Sequence, residues 1–172
     1  MDNVKQKLSQ LEPVIVIGDL MLDQYHGGTM QPCPEGGEKF VVEKTHNVLG
    51  GAGNVARNLR ALDVPVHVIG ALGKDDLDDA GITILRLLEE IGCTHTIIKS
   101  AQPTTVKARL YNHQGTRSGP RLDKDMVFEK KQEFLHQVRH DLAKYKNPSV
   151  IISDYGKGVV SNDLMDLLCA MR

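Results

Sequence analysis

Three short runs of mostly apolar, β-branched residues constrain the fold of this chain more than any other feature of its sequence. They are Val14–Ile17, Val64–Ile69 and Ser149–Ser153. Runs that are apolar at consecutive positions, instead of alternating with polar residues, are typical of strands buried on both faces. Because each run is short and is followed by glycine or aspartate, we interpret the three as central strands of a parallel sheet.

Helical patterns fill much of the chain between and after these runs. Apolar side chains recur there at helical spacing, which predicts four amphipathic helices. The segments are 52–62, 76–91, about 127–145 and 162–171. Strands that alternate with helices predict an α/β fold, in which a mostly parallel sheet is flanked by helices on both faces.

Two segments do not fit this alternation. Residues 24–47 and 94–122 mix glycine, proline and charged residues with short β-like runs such as Phe40–Val42 and Thr104–Val106. We predict that both segments leave the main sheet and form a small β lid over one of its edges. We find no linker or internal repeat, so residues 1–172 are interpreted as belonging to a single domain.

The composition is that of a globular protein and excludes several classes of function. Hydrophobic residues make up 41% and charged residues 25% of the chain, which argues against disorder. The 21 Lys and Arg residues nearly balance the 22 Asp and Glu residues, so no general excess of positive charge is available for nucleic acid or an anionic membrane. No apolar run reaches the roughly 18 residues of a membrane span. We predict neither nucleic acid nor membrane as a partner.

The N-terminus and the cysteines indicate the compartment. The first seven residues are polar and lack the apolar core of a signal peptide. Cys33, Cys93 and Cys169 are far apart and form no paired motif, as expected of reduced thiols. The sequence therefore predicts a cytoplasmic protein.

Each predicted strand is followed by glycine together with a carboxylate. The three segments are Gly18–Asp23, Gly70–Asp75 and Asp154–Gly158. In open α/β sheets, ligands bind beyond the carboxyl ends of the strands. Carboxylates accept hydrogen bonds from hydroxyl groups, and the lysines in two of these segments suit phosphate. The pattern favours a phosphorylated, polyhydroxylated ligand, although Gly and Asp are also ordinary turn residues.

A glycine-rich stretch, Gly50–Leu59, opens the first predicted helix. The free N–H groups of a helix start can bind ligand oxygens, and Asn54 adds an amide in the first turn. Gly51–Ala56 also matches the dinucleotide-binding pattern GxGxxA, with Asp75 near the expected acidic position. A dinucleotide site is the alternative, but that fingerprint belongs directly after the first strand, and here it follows a lid segment.

The lid segment also contains neighbouring cations. If residues 103–109 form a strand, Thr105, Lys107 and Arg109 share one face. Two adjacent cations repel each other unless an anion lies between them or water solvates them. The sequence leaves both explanations open.

Signatures of metal sites and of other catalytic classes are missing. His136 and His140 have i, i+4 spacing, but no glutamate follows His136 and both lie off the apolar stripe, which indicates a solvated face. Neither GxSxG nor GxxxxGK[ST] occurs. We predict no metal site in this chain.

Five motifs follow one another between residues 18 and 159. They are Gly18–Tyr25, Gly50–Leu59, Pro103–Lys107, Arg121–Asp123 and Ser153–Val159. In this order they resemble the N-terminal half of a ribokinase-like (PfkB-type) carbohydrate kinase, and most of all a bacterial heptose-7-phosphate kinase domain. The resemblance implies ATP-dependent phosphorylation of a sugar phosphate at its anomeric hydroxyl, a step toward ADP-heptose and the lipopolysaccharide core.

The resemblance also implies a set of substrate-binding residues. These are Asp23, Gly50, Gly51, Asn54, Lys107, Arg109 and Lys157. The first four are expected to hold sugar hydroxyls, and the three cations are expected to lie near the existing phosphate. The lid is expected to cover the sugar, to exclude water from the reaction and to form the surface of a homodimer.

Several features depart from the family pattern. The lid of family members usually contains Arg-Ile-Ser-Pro-Glu, where this chain has Gln31–Glu35, and the loop 115–120 is unlike the usual lid strand. A small residue, usually Gly, is expected where Asp63 follows the helix. The GAGD-type motif, which in the family supplies the catalytic group beside the ATP site, does not occur. We therefore expect no catalytic or cofactor-binding residue in this chain, with the sites for ATP and Mg²⁺ mostly outside it.

The last predicted helix ends at the point where another parallel strand would be expected. The sheet is therefore predicted to be incomplete, with apolar surface left uncovered. Two hypotheses follow. The chain is the sugar-binding half of a longer heptose phosphate kinase, inactive toward ATP on its own, or it is a truncated, non-catalytic relative that acts in binding or dimerisation.

Overall fold

The structure is a computed structural model that describes residues 12–74 and 78–171. The strands are β1 (Val14–Gly18), β2 (Leu20–Pro32), β3 (Glu38–Gly51), β4 (Val66–Gly73), β5 (Thr94–Ser100), β6 (Thr105–Tyr111), β7 (Leu122–Lys124) and β8 (Val150–Ser153). The helices are α1 (Ala52–Ala61), α2 (Asp79–Glu90), α3 (Lys131–Leu142) and α4 (Asn162–Ala170). The elements form two sheets of four strands each.

The first sheet is parallel throughout, as the three apolar runs predicted. Its order is β5-β4-β1-β8, with Ile17 of β1 paired to Ile69 of β4 on one side and to Ile152 of β8 on the other. Parallel strands all end at the same edge of a sheet. Gly18, Gly73 and Ser153 consequently lie along one rim, which is where the sequence placed the ligand.

Helices cover both faces of this sheet, which confirms the predicted α/β fold. Ile15, Ile17 and Ile69 point to one face and pack with α3 and α4. Val16 and Val68 point to the other face and pack with α1 and α2. The alternation of side chains along a strand explains why a run that is apolar at every position fills two cores.

The second sheet is the lid. Its order is β3-β2-β6-β7, with β2 antiparallel to β3 and parallel to β6. Strand β2 starts only two residues after β1 ends, and β3 runs directly into α1. The base of the lid is thus built into the rim of the parallel sheet, so that side chains near the starts of β2 and β6 lie over that rim.

The predicted boundaries of the lid need correction. Strand β5 was assigned to the lid as part of 94–122, but it is the edge strand of the parallel sheet. Its sequence is partly polar because Thr94 and Thr96 bond the ring of buried His67 on β4, and an edge strand is not covered on all sides. The lid hairpin is also longer than 24–47, since its paired strands extend from Leu20 to Gly51.

The helices have the predicted positions and start or end a few residues inside the predicted limits. After α1, Asp63 adopts a φ of +60°, the left-handed conformation that a glycine was expected to provide. Asp75 and Asp76, which were predicted to flank the start of α2, lie outside the described residues. No helix of residues 12–74 and 78–171 is long and apolar enough to cross a membrane.

Candidate functional site

The carboxylate of Asp23 lies at the base of the lid beside the glycine pair that precedes α1. Asp23 is on β2, and the antiparallel register brings the start of that strand against the end of β3. A Cβ added to Gly50 would lie 2.6 Å from Oδ2 of Asp23 and 2.7 Å from the Met21 side chain. The missing side chain at Gly50 therefore lets the Asp23 carboxylate lie close against the backbone of the glycine pair.

Gly51 is required by the backbone itself. Its φ is +55°, and a Cβ there would lie 2.2 Å from the carbonyl oxygen of Asp19. That oxygen accepts a hydrogen bond of 2.9 Å from the N–H of Ala52, the first residue of α1. The close approach fixes the direction of α1, so that Asn54 lies in the first turn of a helix starting beside Asp23.

The amide of Asn54 already has a partner within the helix. Its Oδ1 accepts a hydrogen bond of 2.7 Å from Nη2 of Arg57. Both side chains are only partly covered, so a ligand hydroxyl can still reach the amide nitrogen. Asn54 is thus placed as predicted, but its oxygen is shared.

Arg109 contacts Asp23 directly. Its Nη1 donates to Oδ1 of Asp23 at 2.6 Å, and its guanidinium carbon lies 5.5 Å from the ring centre of Tyr25. The hydrogen bond to Asp23 is the largest cause that raises the pKa of Arg109. Because Arg109 engages one oxygen of Asp23 and the other lies against Gly50, the carboxylate is held with one oxygen directed toward the glycine turn.

Lys107 and Lys157 meet through a shared carboxylate. Lys107 Nζ lies 3.6 Å from one oxygen of Asp125, and Lys157 Nζ lies 2.8 Å from the other. Lys107 also bonds Asp123 at 3.1 Å, and Arg121 bonds the same carboxylate at 2.7 Å. Lys107 and Arg109, the adjacent cations of β6, thus each have a carboxylate partner of their own, Asp123 for Lys107 and Asp23 for Arg109.

The pKa values of the two carboxylates reflect these contacts. The hydrogen bond from Lys157 holds the pKa of Asp125 below its ordinary value. Loss of hydration raises the pKa of Asp123, but the bonds from Lys107 and Arg121 outweigh it and lower that pKa overall. Both groups are therefore anionic at neutral pH.

Asp19 joins the lid base to the loop after β8. It is 1% exposed, and its carboxylate accepts hydrogen bonds from the backbone N–H groups of Tyr155 at 2.7 Å, Lys157 at 3.2 Å and Val159 at 3.3 Å. Ionised carboxylates form strong bonds with backbone N–H groups. Asp19 thus fixes the loop from which Lys157 reaches Asp125.

Neighbours in the structure link four of the predicted residues into one chain of contacts. Asp23 bonds Arg109, and its register partner on β6 is Lys107. Lys107 reaches Lys157 through Asp125. Thr105, Lys107 and Arg109 alternate along β6 as predicted, and one rim of the molecule therefore holds carboxylate, glycine turn and cations together.

Sequence reasoning assigned no role to Asp123, Asp125 or Arg121. Arg121 and Asp123 were part of a family motif, whereas Asp125 carried no signal beyond its charge. Its contacts depend on how the chain leaves β7, which no periodicity predicts. Asp19 was noted only as a residue at a strand end, and its burial under the loop 155–159 could not be read from its position.

The segment after β4 contributes differently from what was expected. Asp78 bonds the hydroxyl group of Thr104, and that hydroxyl oxygen accepts a 2.9 Å hydrogen bond from the N–H of Gly73. These buried contacts tie the start of the lid strand β6 to the rim. Asp75, the acidic residue of the dinucleotide alternative, lies outside the described residues.

The GxGxxA motif does not have the setting that the dinucleotide alternative requires. It follows β3, an antiparallel lid strand, and not the first strand of the parallel sheet. Among the described residues, no group of three or more His, Cys, Asp and Glu side chains is placed to hold a metal ion. The rim instead presents the donors and acceptors of a site for a charged, hydroxylated molecule.

Comparison with known proteins points to one family. A model of the pfkB family carbohydrate kinases matches residues 12–154. The Bifunctional protein HldE of Stutzerimonas stutzeri is 37% identical over 165 residues, which cover 93% of this chain and 33% of that protein. The Bifunctional protein HldE of Aliarcobacter butzleri is 34% identical over 161 residues. The chain spans about a third of the length of these curated relatives.

Solved structures show the same fold at low sequence identity. Phosphofructokinase-2 from Escherichia coli in complex with substrates and products superposes with a TM-score of 0.67 at 18% identity, over 92% of this chain and 50% of that one. A carbohydrate kinase from Agrobacterium tumefaciens gives a TM-score of 0.64 at 16% identity, over 94% of this chain and 50% of that one. The matched region is thus one half of a larger fold.

Proposed function

Because this chain belongs to the pfkB family of carbohydrate kinases, we propose that it is the sugar-binding half of an ATP-dependent sugar-phosphate kinase. The proposed substrate is heptose 7-phosphate, phosphorylated at its anomeric hydroxyl on the way to ADP-heptose and the lipopolysaccharide core. The observation that carries the proposal is the Asp23 carboxylate beside the Gly50–Gly51 turn. The similarity to the HldE proteins supports the choice of a heptose.

In this proposal, Asp23 is the principal acceptor for sugar hydroxyls. Its Oδ1 is held by Arg109, whereas its Oδ2 forms no hydrogen bond within the described residues and the side chain is 19% exposed. The backbone of Gly50 and Gly51 and the amide nitrogen of Asn54 belong to the same proposed site. A sugar ring placed there replaces water with fixed hydrogen-bond partners, which orients the reacting hydroxyl.

Lys107, Arg109 and Lys157, which the family resemblance places near the phosphate, are proposed to attract the phosphorylated substrate to the lid through their positive charge. With Arg121, these four cations face the three carboxylates of Asp23, Asp123 and Asp125. The cluster therefore keeps a small excess of positive charge. The excess positive charge attracts an anionic ligand. In the absence of substrate, the carboxylates reduce the repulsion between the neighbouring cations.

PfkB kinases take the transferred phosphoryl group from ATP, and we propose Mg²⁺ as its partner. The described residues do not fit this pair of groups, because Asp123 and Asp125 are bonded to lysines and no other acidic cluster adjoins the rim. We propose that the donor site and the catalytic group belong to the part of the relatives that this chain does not span. Localisation in the cytoplasm, where ATP and sugar phosphates are found, is part of the same proposal.

A second role is favoured by the outer part of the lid. Met30 and Val42, close to the tip of the hairpin, are 40% and 48% exposed. β3 is an edge strand of the lid sheet, and exposed edges with apolar residues favour pairing with another chain. We propose that the lid forms a homodimer, which in a truncated, non-catalytic relative is the remaining function. The reading frame downstream of Arg172 separates the two roles, since an immediate stop codon favours the second.

Calorimetric titration of the 172-residue chain with heptose 7-phosphate tests the main proposal. We expect measurable binding that Asp23→Asn weakens by about tenfold or more, because one hydrogen bond to a charged group contributes about 1.5–3 kcal/mol. Asp166→Asn, on the exposed side of α4, is the matched control and keeps the wild-type affinity. Equal binding by both variants overturns the assignment of Asp23. ATP turnover by the purified chain overturns the claim that the catalytic half lies elsewhere.

A further inference from the structure

A second depression lies farther out on the same face of the lid as Asp23. Its volume is about 490 Å³, and its walls include Tyr25, Lys44, His46, Tyr111 and His113. This volume is within the range of small-molecule sites. None of these residues belongs to the substrate-binding set predicted from the sequence.

Strand register makes the depression continuous with the proposed sugar site. Asp23 and Tyr25 are two residues apart on β2, and Tyr25 pairs with His46 on β3 and with Arg109 on β6. Residues two apart on a strand point to the same face and are separated by about 6.4–6.8 Å. The aromatic row therefore begins one side-chain spacing beyond the Asp23 carboxylate.

Gly27 forms the floor of the depression. It is the next residue on this face of β2, and its partners are Lys44 and Tyr111. A Cβ added at Gly27 would lie 2.7 Å from Cε of Lys44. The stem of Lys44 therefore lies across Gly27, and a side chain at this position would displace it.

A β-bulge shapes the far wall. Gly27 pairs with Lys44 and Gly28 with Val42, so Glu43 is the extra residue of β3. Glu43 reaches across the hairpin to His113, with 3.4 Å between Oε1 and Nε2. This contact holds the loop after β6 beside the depression, and the stem of Lys44 lies over Gly27.

The cations of the two regions differ in their partners. Lys107 and Lys157 at the rim both hold carboxylates, which a phosphate would have to displace or share. Among residues 12–74 and 78–171, no carboxylate lies within ion-pair distance of Lys44. An added phosphate therefore gains a charge-assisted contact at Lys44 without breaking one.

We propose that this depression binds the phosphate-bearing end of the sugar, with Lys44 as its direct cation and the rings of Tyr25 and Tyr111 beneath the sugar's carbon chain. The inference rests on the proposed function. In a sugar phosphorylated at the end opposite its anomeric carbon, the phosphate must point away from the reacting hydroxyl. With ring hydroxyls at Asp23, the chain end extends along β2 toward Tyr25, whose ring is 5.8 Å from that of Tyr111.

The test compares two probes on the 172-residue chain by NMR titration, namely heptose 7-phosphate and the same heptose without phosphate. We expect Lys44→Gln to weaken binding of the phosphorylated sugar by about tenfold or more and to leave binding of the free heptose unchanged. Lys39→Gln removes a lysine from the same strand outside the depression and should change neither affinity. Gly27→Val, which fills the floor, should reproduce the effect of Lys44→Gln.

Three other results of these titrations would each overturn a different assignment. If the wild type prefers the phosphorylated sugar and Lys44→Gln behaves like Lys39→Gln, the phosphate binds elsewhere and the inference is wrong. If the wild type binds both sugars equally, the proposed sugar site stands and the phosphate subsite does not. Binding of neither sugar overturns the proposed function and this inference together.

Discussion

The parallel sheet and the lid sheet are both four-stranded, but they expose their side chains in opposite ways. Ile15, Val16 and Ile17 in the centre of the parallel sheet are completely buried. The lid strands leave charged and aromatic side chains such as Lys44 and Tyr25 on a surface. Apolar burial dominates stability, whereas half-exposed polar groups can exchange water for a ligand. The parallel sheet thus supplies most of the stability, and the lid sheet carries the side chains that are proposed to bind the ligand.

The ionic clusters of the two regions differ in the same sense. Asp141 of α3 is 1% exposed and lies 3.5 Å from the ring of His67 beneath the parallel sheet. Burial lowers the pKa of His67, so its ring is neutral. The lid cluster around Asp125 is half-open and shares its charge among several partners. One cluster fixes a helix on a sheet, and the other remains available to solvent and ligand.

The largest difference in unfolding free energy is expected between two variants that each replace an aromatic side chain with alanine. Phe134→Ala removes a side chain that is 1% exposed and packs edge-on against Phe128. Its unfolding free energy should fall by about 3–5 kcal/mol. Tyr25→Ala, on the lid surface, should cost about 1 kcal/mol or less and should instead weaken binding of heptose 7-phosphate. Urea denaturation of both variants measures the first difference.

The comparison fails if the two truncations destabilise the chain equally. It also fails if Phe134→Ala, measured well below its urea midpoint, loses sugar binding as completely as Tyr25→Ala does. Either result would show that the lid and the parallel sheet unfold as one tightly coupled unit.

Asp19 tests the junction between the two sheets. Asp19→Asn replaces one accepting oxygen by an NH₂ group that faces backbone donors, so at least one of the bonds from Tyr155, Lys157 and Val159 is lost. We expect the unfolding free energy to fall by about 2–3 kcal/mol. Asp154→Asn is the control, because within the part of the chain that the structure describes that exposed carboxylate accepts only a local bond from Gly156, and it should change stability by about 0.5 kcal/mol or less. Equal losses would contradict the role given to Asp19.

The parallel sheet could be predicted from the sequence because its strands are buried on both faces. Val14–Ile17 and the runs around Val68 and Ile151 carry a continuous apolar signal that only such a position requires. The edge strand Thr94–Ser100 was missed because only two of its seven residues are buried. Thr94 and Thr96 also form hydrogen bonds with the ring of His67, and a local sequence pattern does not predict such contacts.

The candidate site was predictable in part, residue by residue. Asp23, Lys107 and Lys157 follow strand ends or alternate along a strand, so the topology brings them to one rim. Asp125 and Lys44 could not be found in this way, because their positions depend on a turn after β7 and on a bulge in β3. Register and loop geometry arise from contacts between segments distant in sequence, which local periodicity does not record.

The buried cluster under the parallel sheet predicts an acid dependence of stability. Burial raises the pKa of Asp141, but the bond and charge of Lys144 and the contact with His140 outweigh it and bring that pKa to about 2. Since the folded value lies below the ordinary 3.8, the unfolded state binds more protons between about pH 4 and pH 2, and stability falls as the pH is lowered through that window. The depressed pKa of His67 acts in the same direction below about pH 6.5.

Urea unfolding of the wild type and of Asp141→Asn at pH 2 to 6 measures this dependence. We expect the wild type to lose about 1–2 kcal/mol between pH 4 and pH 2 through this group. The variant should be less stable at pH 6 and should show a flatter profile in the acid range. Parallel profiles for the two proteins would mean that Asp141 does not carry the acid sensitivity.

The smallest effect on stability is expected for the ion pairs of the lid around Asp123, where a change in affinity should occur with little change in unfolding free energy. Asp123→Asn removes the charge that Lys107 and Arg121 share, with all three side chains at least partly exposed. Exposed ion pairs contribute about 0–1 kcal/mol, so the unfolding free energy should change by less than about 1 kcal/mol. Affinity for heptose 7-phosphate should rise, because two cations lose a competing anion while the protein gains one unit of positive charge. The rise should shrink as salt screens the cluster, and a fall in affinity at low salt would show that Asp123 contacts the sugar itself.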